Sequence, residues 1–314
     1  MKVLVTGASG TIGRPLTAAL AAAGHAVRAA VRGGRTQPFP ASVEIARSTD
    51  LAEPVDWPPL LAGMDAVVHL AGVAHTDITG AAYDRINHLA TAELARAAAA
   101  AGIKRFVFVS SIRAQSGPHA DHPLSETDPA RPTDAYGRSK LAAENAVRAA
   151  GVPFTILRPV LVYAPGARGN LASLIRLAAY PLPLPFGRLT AKRSLLSVDN
   201  LIAAIGFALD SARAENETFI VSDPQAVTVA EIIVICRAAI GRRPSMLPVP
   251  PRLFATALGL IGKREVWDRL AGALDAPPTE LLAAGWRPPV DTTAGLTALV
   301  RLQQRAADSL EQRR

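Results

Sequence analysis

Short apolar runs alternate with amphipathic, alanine-rich stretches through the first half of the chain. The apolar runs cover residues 2–6, 26–31, 43–46, 65–72, 105–109 and 152–157. Helical spacing of apolar positions covers residues 14–23, 83–101 and 134–150. Strands that alternate with helices are typical of a parallel sheet with helices on both faces. The pattern predicts an α/β fold with a doubly wound parallel sheet of the Rossmann type.

The second half of the chain has shorter elements that are interrupted by proline. Prolines cluster in residues 181–185, 248–251 and 277–278, around a predicted strand at 219–222 and a predicted helix at 229–240. We expect a Rossmann core over residues 1–164, completed by parts of 190–225. Residues 165–314 then form mainly a small, discontinuous C-terminal lobe that is interleaved with core elements.

Composition restricts the class of protein. The chain has 314 residues, of which 49% are hydrophobic and 19% charged, as expected for a globular chain. Cys236 is the only cysteine, so an intramolecular disulfide cannot form. The apolar run at the N-terminus is too short for a signal peptide, and the longest later run, residues 253–261, is about half a membrane span. We therefore expect a cytoplasmic protein without a membrane span.

The net charge of +8 comes almost wholly from arginine. These arginines are scattered, without a basic run and without interleaved aromatic residues, so nucleic acid is not an expected partner. A dispersed positive field suits a small acidic ligand such as a nucleotide.

A glycine-rich turn follows the first predicted strand. Residues 7–13 read Gly-Ala-Ser-Gly-Thr-Ile-Gly, and a predicted helix follows directly. In this context glycine permits a tight turn and close approach of the backbone to a pyrophosphate, which free N–H groups at the helix start can bind. Gly7, Gly10 and Gly13 therefore predict a dinucleotide site, with an ordinary strand–helix turn as the alternative.

The end of the second predicted strand bears on the choice of dinucleotide. An acidic residue there binds a free ribose 2′-hydroxyl, whereas an arginine accommodates a 2′-phosphate. Arg32 occupies this position, and no acidic residue is present. We expect NAD(P)(H) as the cofactor, with a slight preference for NADP(H); a solvated surface arginine is the alternative.

Tyr136 and Lys140 stand four residues apart in the predicted helix 134–150 and therefore share one face. A phenol with a pKa near ~10 needs about 4 kcal/mol of preferential stabilisation of its anion to reach ~7, and an ammonium ~4 Å away supplies an amount of that order. The pair is a candidate general acid/base. A solvated pair is the alternative, because this spacing also occurs by chance.

Four further polar residues lie near the predicted strand ends. His69 lies within an apolar run, so we expect a packed core histidine, whereas His75 on the following loop could face substrate or water. Asn87 needs a hydrogen-bond partner if it is buried. Ser111 comes just after the fifth predicted strand, at the carboxyl edge where open α/β folds bind ligands.

Taken in order, these motifs resemble those of the extended short-chain dehydrogenases/reductases, in the nucleotide-sugar epimerase/dehydratase branch. The matching segments are residues 7–13, Asp50-Leu51, residues 69–72, Asn87, Ser110-Ser111, and residues 136–140, 157–166, 170–171, 193–199 and 285–288. They cover the first half of the chain densely and recur through the second half.

The resemblance implies roles for individual residues. Tyr136 would be the acid/base, Lys140 would lower its pKa and hold the nicotinamide ribose, and Ser111 would hydrogen-bond the reacting oxygen. Together with Arg32, the cofactor residues are Gly7, Ser9, Gly10, Thr11, Ile12, Gly13, Asp50, Leu51, Leu70, Ala71, Gly72, Asn87, Tyr136, Lys140 and Pro159. The substrate candidates are His75, Ser111, Asn170, Leu171, Arg193 and Arg269, with Arg264 as the alternative to Arg269. No metal is implied.

Departures from the family pattern reduce the number of reactions that we expect of this chain. Ser111 is followed by Ile112 and Arg113, where a 4,6-dehydratase needs an Asp-Glu pair, so elimination is not expected. Residues 114–117 lack the tyrosine that many epimerases carry, and Leu161 stands where UDP-galactose epimerases place an asparagine. Both differences weaken an assignment as a housekeeping UDP-glucose 4-epimerase.

The resemblance implies hydride transfer between NAD(P) and C4 of a UDP-hexose. A UDP-sugar 4-ketoreductase, slightly favoured, and a UDP-glucose-type 4-epimerase share this machinery. The alternatives are a hydroxysteroid- or dihydroflavonol-type dehydrogenase, which has no use for Asn170 and Arg193, and a catalytically silent NAD(P)-sensing regulator, which usually lacks Tyr136 or Lys140. A substrate-binding role for the C-terminal lobe is also implied, as is a homodimer through helices 83–101 and 134–150.

Overall fold

A seven-stranded parallel sheet forms the centre of the computed structural model, which describes residues 1–33, 39–74, 78–165, 170–260, 262 and 264–311. The strands in these ranges are β1 (Lys2–Thr6), β2 (Ala26–Arg32), β3 (Glu44–Ser48), β4 (Ala66–His69), β5 (Arg105–Val109), β6 (Phe154–Pro159), β7 (Leu161–Tyr163), β8 (Lys192–Arg193), β9 (Leu195–Ser197), β10 (Glu217–Val221) and β11 (Val227–Thr228). The sheet has the order β3-β2-β1-β4-β5-β6-β10, and its pairings are parallel.

Helices connect these strands and build the second half of the chain. They are α1 (Gly13–Ala22), α2 (Trp57–Leu61), α3 (Gly80–Tyr83), α4 (Ala90–Ala100), α5 (Ala135–Ala149), α6 (Asn170–Ala178), α7 (Val198–Asp210), α8 (Val229–Ala239), α9 (Pro251–Leu260), α10 (Arg264–Ala271), α11 (Thr279–Ala283) and α12 (Thr292–Glu311). A π-helical segment, Asp84–Leu89, joins α3 to α4. Within the described ranges, every helix is too short or too polar to span a bilayer.

The strand order confirms the predicted doubly wound fold. β1 lies between β2 and β4, so the connections on its two sides run in opposite directions along the sheet. Connections that diverge in this way leave a crevice at the carboxyl ends of the strands, where open α/β folds bind their ligands. Sequence and topology therefore direct attention to the carboxyl edge of β1 and its neighbours.

Alternating side chains of each central strand pack on opposite faces of the sheet. Val3 and Val5 belong to a core that includes α1 and α7, whereas Leu4 lies in a second core with α4 and α5. Both faces of β1 are thus apolar, which explains why parallel strands read as nearly continuous apolar runs in the sequence. The alanines of α4 and α5 allow these helices to pack against each other and against the sheet.

A third hydrophobic core builds a smaller lobe, defined here by α6, α8, α9, α10 and α12 with the short strand pairs β7-β9 and β8-β11. Its segments are interleaved with α7 and β10, which belong to the Rossmann part. The predicted small, discontinuous C-terminal lobe is therefore confirmed as part of the fold. The domain boundary at residue 164 stays a prediction.

Several element boundaries differ from those expected. The third strand is Glu44–Ser48 instead of residues 43–46, and the sixth is Phe154–Pro159 instead of residues 152–157. Both strands are positioned by their neighbours: β3 pairs with β2 through Ser48, and β6 pairs with β5 through Leu157 and with β10 through Pro159. Register with a neighbouring strand is a tertiary effect that the local apolar pattern does not contain.

A buried ion pair joins α5 to the carboxyl ends of β5 and β6. The Glu144 side chain is fully buried and accepts hydrogen bonds from Arg158 Nε at 3.0 Å and Arg158 Nη2 at 2.7 Å. Ser110 Oγ donates to the same carboxylate at 2.6 Å, and Arg158 Nη1 donates to Gln115 Oε1 at 3.0 Å. The charges are thus paired and hydrogen-bonded, which a buried carboxylate requires.

Arg158→Met tests how much this ion pair contributes to the stability of the fold. We expect the free energy of unfolding to fall by about 3–5 kcal/mol, because the substitution leaves the Glu144 carboxylate buried without its main partner. Urea unfolding followed by circular dichroism measures the change. Arg148, which is 34% exposed and also bonds Glu144, provides the control, since Arg148→Ala should cost only about 0–1 kcal/mol. Small and equal losses in both variants would contradict the assignment.

Candidate active site

The glycine turn after β1 comes unusually close to the end of β4. Gly7 has a φ of +69°, and a Cβ placed on it would lie 2.8 Å from the Ala71 nitrogen. A Cβ on Gly13 would overlap the Gly7 carbonyl, whose oxygen accepts a hydrogen bond from the Gly10 nitrogen at 3.0 Å. Only glycine fits at Gly7 and Gly13 without displacing backbone, so the turn presents main-chain groups instead of side chains to a ligand.

A cavity of about 290 Å³ lies beside this turn, at the carboxyl ends of β1, β2 and β4, and is called the sheet-edge cavity below. Its lining residues are Thr6, Gly7, Ser9, Gly10, Ala30, Arg32, Ser48, Thr49, Asp50, Leu51, Trp57, Leu70, Ala71, Gly72, Val73 and Ile86. They include nine of the predicted cofactor residues: Gly7, Ser9, Gly10, Arg32, Asp50, Leu51, Leu70, Ala71 and Gly72. The backbone cradle at the start of a helix fits the diphosphate of a dinucleotide.

Of the other cofactor candidates, Thr11, Ile12 and Pro159 do not line this cavity in the described part of the chain. Thr11 and Ile12 belong to the turn, and Ile12 is the residue that precedes α1. Pro159 ends β6, where it is buried and pairs with Val221 of β10. Their contacts with a cofactor stay predictions.

Arg32 and Asp50 form an ion pair at the rim of the sheet-edge cavity. Arg32 Nη1 donates to Asp50 Oδ2 at 2.7 Å, and the two side chains are 70% and 47% exposed. The Ala52 backbone N–H and then Arg32 lower the pKa of Asp50. The sequence predicted both as cofactor residues, with Arg32 facing a 2′-phosphate, and the structure shows that their side chains also bind each other.

Several lining residues were not among the predicted site residues. Thr6 immediately precedes Gly7, so its position at the end of β1 was a usable signal. Ser48 ends β3 and Thr49 follows it, and the end of this strand was predicted two residues too early. Trp57 comes from α2, and no local pattern places this helix against the cavity.

His69 confirms the prediction of a packed core histidine. Its Nδ1 lies 2.7 Å from Thr6 Oγ1, and its Nε2 lies 2.9 Å from Thr91 Oγ1. Burial, followed by the charge of Lys140, lowers the pKa of His69 to about 3, so the ring is neutral near neutral pH. His69 therefore joins the ends of β1 and β4 to α4 and is not a proton donor at the site.

The side-chain amide of Asn87 is hydrogen-bonded to other parts of the protein. Its Oδ1 accepts from the Val73 nitrogen at 2.9 Å, and its Nδ2 donates to the Val73 oxygen at 3.0 Å and to Ser139 Oγ at 3.1 Å. The residue is 1% exposed, and the polar partner that its burial required is thus present. Asn87 fastens the loop after β4 to α5, and its predicted contact with cofactor stays a prediction.

Tyr136 and Lys140 lie on α5, which is seated firmly against the segment after β5. Asp134 caps α5 by accepting from the Gly137 nitrogen at 2.7 Å, and its carboxylate also pairs with Arg113 at 2.5 Å. A Cβ on Gly137 would overlap the Arg113 carbonyl, so this glycine permits close contact. The arrangement brings the Tyr136 hydroxyl into hydrogen-bond contact with Ser111.

Burial has the largest effect on the pKa values of both Tyr136 and Lys140. It raises the pKa of Tyr136, while the hydrogen bond with Ser111 opposes this shift. Arg113 lowers this pKa and Asp134 raises it, and the lowering expected from Lys140 stays a prediction. Lys140 Nζ donates to the Val109 oxygen at 2.8 Å and lies 4.3 Å from the centre of the Phe108 ring, and burial lowers its pKa to about 7.

A second cavity, of about 430 Å³, lies in the small lobe and is called the lobe cavity below. Its described lining residues are Leu161, Leu171, Ser173, Leu174, Leu177, Phe186, Arg193, Leu195, Val229, Ile232, Phe254 and Leu270. Leu171 and Arg193 are predicted substrate residues, and burial lowers the pKa of Arg193. Arg264 is exposed at the start of α10. His75 and the side chains of Asn170 and Arg269 lie outside the described residues.

Comparison with known proteins agrees with this geometry. The model of the NAD dependent epimerase/dehydratase family matches residues 3–222. A UDP-glucose 4-epimerase of Vibrio cholerae is 34% identical over 300 residues, which are 91% of this chain and 90% of the relative. A ceramide reductase of Caulobacter vibrioides is 31% identical over 294 residues, or 91% of this chain and 86% of the relative.

Solved structures give the same result. MoeE5 in complex with UDP-glucose and NAD superposes with a TM-score of 0.75 at 26% identity, and the alignment covers 98% of this chain and 100% of MoeE5. The glycine turn, the parallel sheet and the Ser111, Tyr136 and Lys140 cluster all lie within the part of the chain that matches the family model. The chain therefore belongs to the NAD dependent epimerase/dehydratase family and is an enzyme of the extended short-chain dehydrogenase/reductase type.

Proposed function

We propose that this enzyme moves a hydride between a nicotinamide dinucleotide and C4 of a diphosphate-linked hexose, with UDP-hexoses as the first candidates. The observation that carries the proposal is the hydrogen bond between Ser111 and Tyr136, on elements that converge at the carboxyl edge of the sheet beside the glycine turn. A relative named UDP-glucose 4-epimerase and a neighbour solved with UDP-glucose and NAD support the substrate class.

The residues of this chain divide the remaining chemistry. The dinucleotide, when bound, supplies or accepts the hydride. The Tyr136 phenol gives a proton to the reacting oxygen during reduction and removes one during oxidation. Ser111 hydrogen-bonds that oxygen, and the Lys140 ammonium favours the phenolate form. Arg193 meets the negative charge of the diphosphate.

A ketoreductase and an epimerase would use these groups differently. A ketoreductase reduces a 4-keto hexose and releases oxidised cofactor. An epimerase oxidises C4, lets the 4-keto sugar rotate in the site and then reduces the opposite face of its carbonyl, without net use of cofactor. We favour the ketoreductase slightly, because Leu161 and residues 114–117 depart from the epimerase pattern. The absence of an Asp-Glu pair after Ser111 argues against a dehydratase.

We also propose a homodimer in which α4 and α5 meet the same helices of a second copy. Both helices are rich in alanine and pack side by side, so a flat pair of small-residue helices is available for a symmetric contact. A cytoplasmic location stays a prediction from sequence.

Tyr136→Phe tests the acid/base role. We expect the rate of hydride transfer to fall by about 10²–10⁴-fold, because the variant lacks the transferable proton. The phenylalanine keeps the ring, whose centre lies 5.9 Å from the centre of the Tyr83 ring. UDP-hexoses and UDP-4-keto hexoses are supplied with each cofactor, and the absorbance of reduced nicotinamide is followed together with product. Cofactor used in proportion to product indicates a reductase, and product without such use indicates an epimerase.

Tyr180→Phe provides the matched control for this experiment. The Tyr180 side chain is 59% exposed, so loss of its hydroxyl should leave turnover close to that of the wild type. Undiminished turnover in Tyr136→Phe, with cofactor binding intact, would show that another group supplies the proton and would contradict the acid/base role of Tyr136.

Arg32→Ala tests the cofactor preference. We expect the Kd for NADP(H) to rise roughly tenfold, because a charge-assisted contact with the 2′-phosphate is lost, while the Kd for NAD(H) changes little. Fluorescence titration with both dinucleotides measures the constants. Arg47→Ala, at an exposed position on β3, is the control and should change neither value. Equal effects of Arg32→Ala on both dinucleotides would disprove the proposed 2′-phosphate contact.

The buried Lys140 should make stability depend on pH. Its pKa falls from about 10.5 in the unfolded chain to about 7 in the folded one, so between these values the unfolded chain binds more protons. The free energy of unfolding contributed by this residue therefore rises with pH across that window, by up to about 5 kcal/mol at ~1.4 kcal/mol per pH unit.

Urea unfolding at a series of pH values compares the wild type with Lys140→Met. We expect the free energy of unfolding to lose its rise with pH in Lys140→Met. The rise should persist in Lys104→Met, since the Lys104 side chain is 80% exposed. Parallel pH profiles for wild type and Lys140→Met would show that the folded lysine keeps an ordinary pKa.

A further inference from the structure

The described residues that line the lobe cavity are almost all apolar. Of the twelve described residues that line it, only Ser173 and Arg193 have polar side chains, and the others are leucine, isoleucine, valine and phenylalanine. Burial of apolar surface is favourable, whereas a polar group in such surroundings needs a hydrogen-bond partner. A cavity of about 430 Å³ is large enough for a substantial part of a ligand.

The lobe cavity starts from the same edge of the sheet as the catalytic cluster. Leu161 lines it and comes shortly after Pro159, the last residue of β6. Leu195 lines it from β9, which pairs with β7. From there the cavity extends between α8 and α9, lined by Ile232 and Phe254. A long substrate that reacts at Tyr136 would place its remote end in this space.

Apolar side chains of α9 lie both at the cavity and on exposed surface. Phe254 lines the cavity, whereas Leu253 and Leu260 are 64% and 84% exposed on the outer surface. Arg252 is exposed at the start of α9, and Arg264 is exposed just beyond its end. Exposed leucines flanked by arginines are typical of helices that meet lipid with anionic head groups. An apolar chain too long for the cavity would therefore find apolar surface outside it.

We propose that the lobe cavity holds an apolar chain, so that the substrate is a hexose joined through a diphosphate to a lipid instead of to a nucleoside. This inference rests on the proposed hydride transfer and changes only the remote half of the substrate. Arg193 provides the positive charge for the diphosphate, and the chain packs against Leu174 and Ile232. Against the described lining a nucleoside base fits less well, because its carbonyl and N–H groups would face ten side chains that cannot hydrogen-bond.

Two diphosphates that differ only in their remote group test the assignment. Farnesyl diphosphate carries an apolar chain, and UDP carries a nucleoside. Calorimetric titration of the full chain, saturated with NAD(H), should show farnesyl diphosphate binding at least about tenfold more tightly than UDP. UDP binding as tightly as farnesyl diphosphate, or more tightly, would overturn the proposal. This comparison uses the wild type and does not depend on the folding of a variant.

A cavity variant and a surface variant locate the bound chain. Leu174→Gln should weaken farnesyl diphosphate roughly tenfold while leaving UDP almost unchanged, because it places an amide in the apolar wall. Leu302→Gln makes the same exchange at a leucine of α12 that is 46% exposed and should affect neither ligand. Equal weakening of both ligands by Leu174→Gln, or no weakening of either, would place the chain elsewhere.

Turnover separates this inference from the proposed function. The same hexose and 4-keto hexose are offered as UDP esters and as farnesyl diphosphate esters. A higher kcat/KM for the farnesyl esters supports both ideas. Turnover of the UDP esters alone overturns the lipid substrate and leaves C4 hydride transfer intact. Tight binding of farnesyl diphosphate without turnover of any sugar overturns the hydride transfer and leaves the cavity as a site for an apolar chain.

Discussion

The candidate active site depends on how closely α5 approaches the segment that follows β5. Gly137 permits the approach because it carries no Cβ to meet the Arg113 carbonyl. Asp134 holds the same contact by capping α5 and pairing with Arg113. With the helix fixed in this way, Tyr136 reaches Ser111 across a large separation in sequence. The close packing of α5 also determines how far Tyr136 and Lys140 are shielded from water.

Close packing also sets the electrostatics of the site. The contact that aligns the phenol and the hydroxyl removes water from them, so the pKa of Tyr136 rises and that of Lys140 falls. Both shifts oppose the charged forms that proton transfer uses. The Arg113–Asp134 ion pair also acts on the phenol, since Asp134 raises the pKa of Tyr136 and Arg113 lowers it.

The sequence was sufficient for the parts of this enzyme that depend on local pattern. The alternation of apolar runs and helices predicted the parallel sheet, and the glycine spacing predicted the turn beside β4. Gly137 was matched only as part of the segment 136–140, and its close contact was not predicted because its partner, the Arg113 carbonyl, comes from another part of the chain. The pairing of Arg32 with Asp50 and the position of Trp57 escaped prediction for the same reason.

The lobe cavity shows a different limit. Leu161, Leu171 and Arg193 could be identified singly, but the apolar walls arise from several helices that are far apart in sequence. Periodicity predicts that a helix has an apolar face and does not say whether that face packs on another helix or lines a cavity. The chemistry of such a space is a property of the assembled lobe.

Glu144 has a consequence for any attempt to make this enzyme more robust. Replacing a buried ion pair by apolar residues of similar size often stabilises a protein. Here the carboxylate also raises the pKa of Lys140 against the effect of burial, one helical turn away. A leucine or methionine at this position would leave the lysine neutral over more of the physiological range. Engineering for heat resistance at this site would thus trade against the acid/base role proposed for Tyr136 and Lys140, and the acidic residue should be retained.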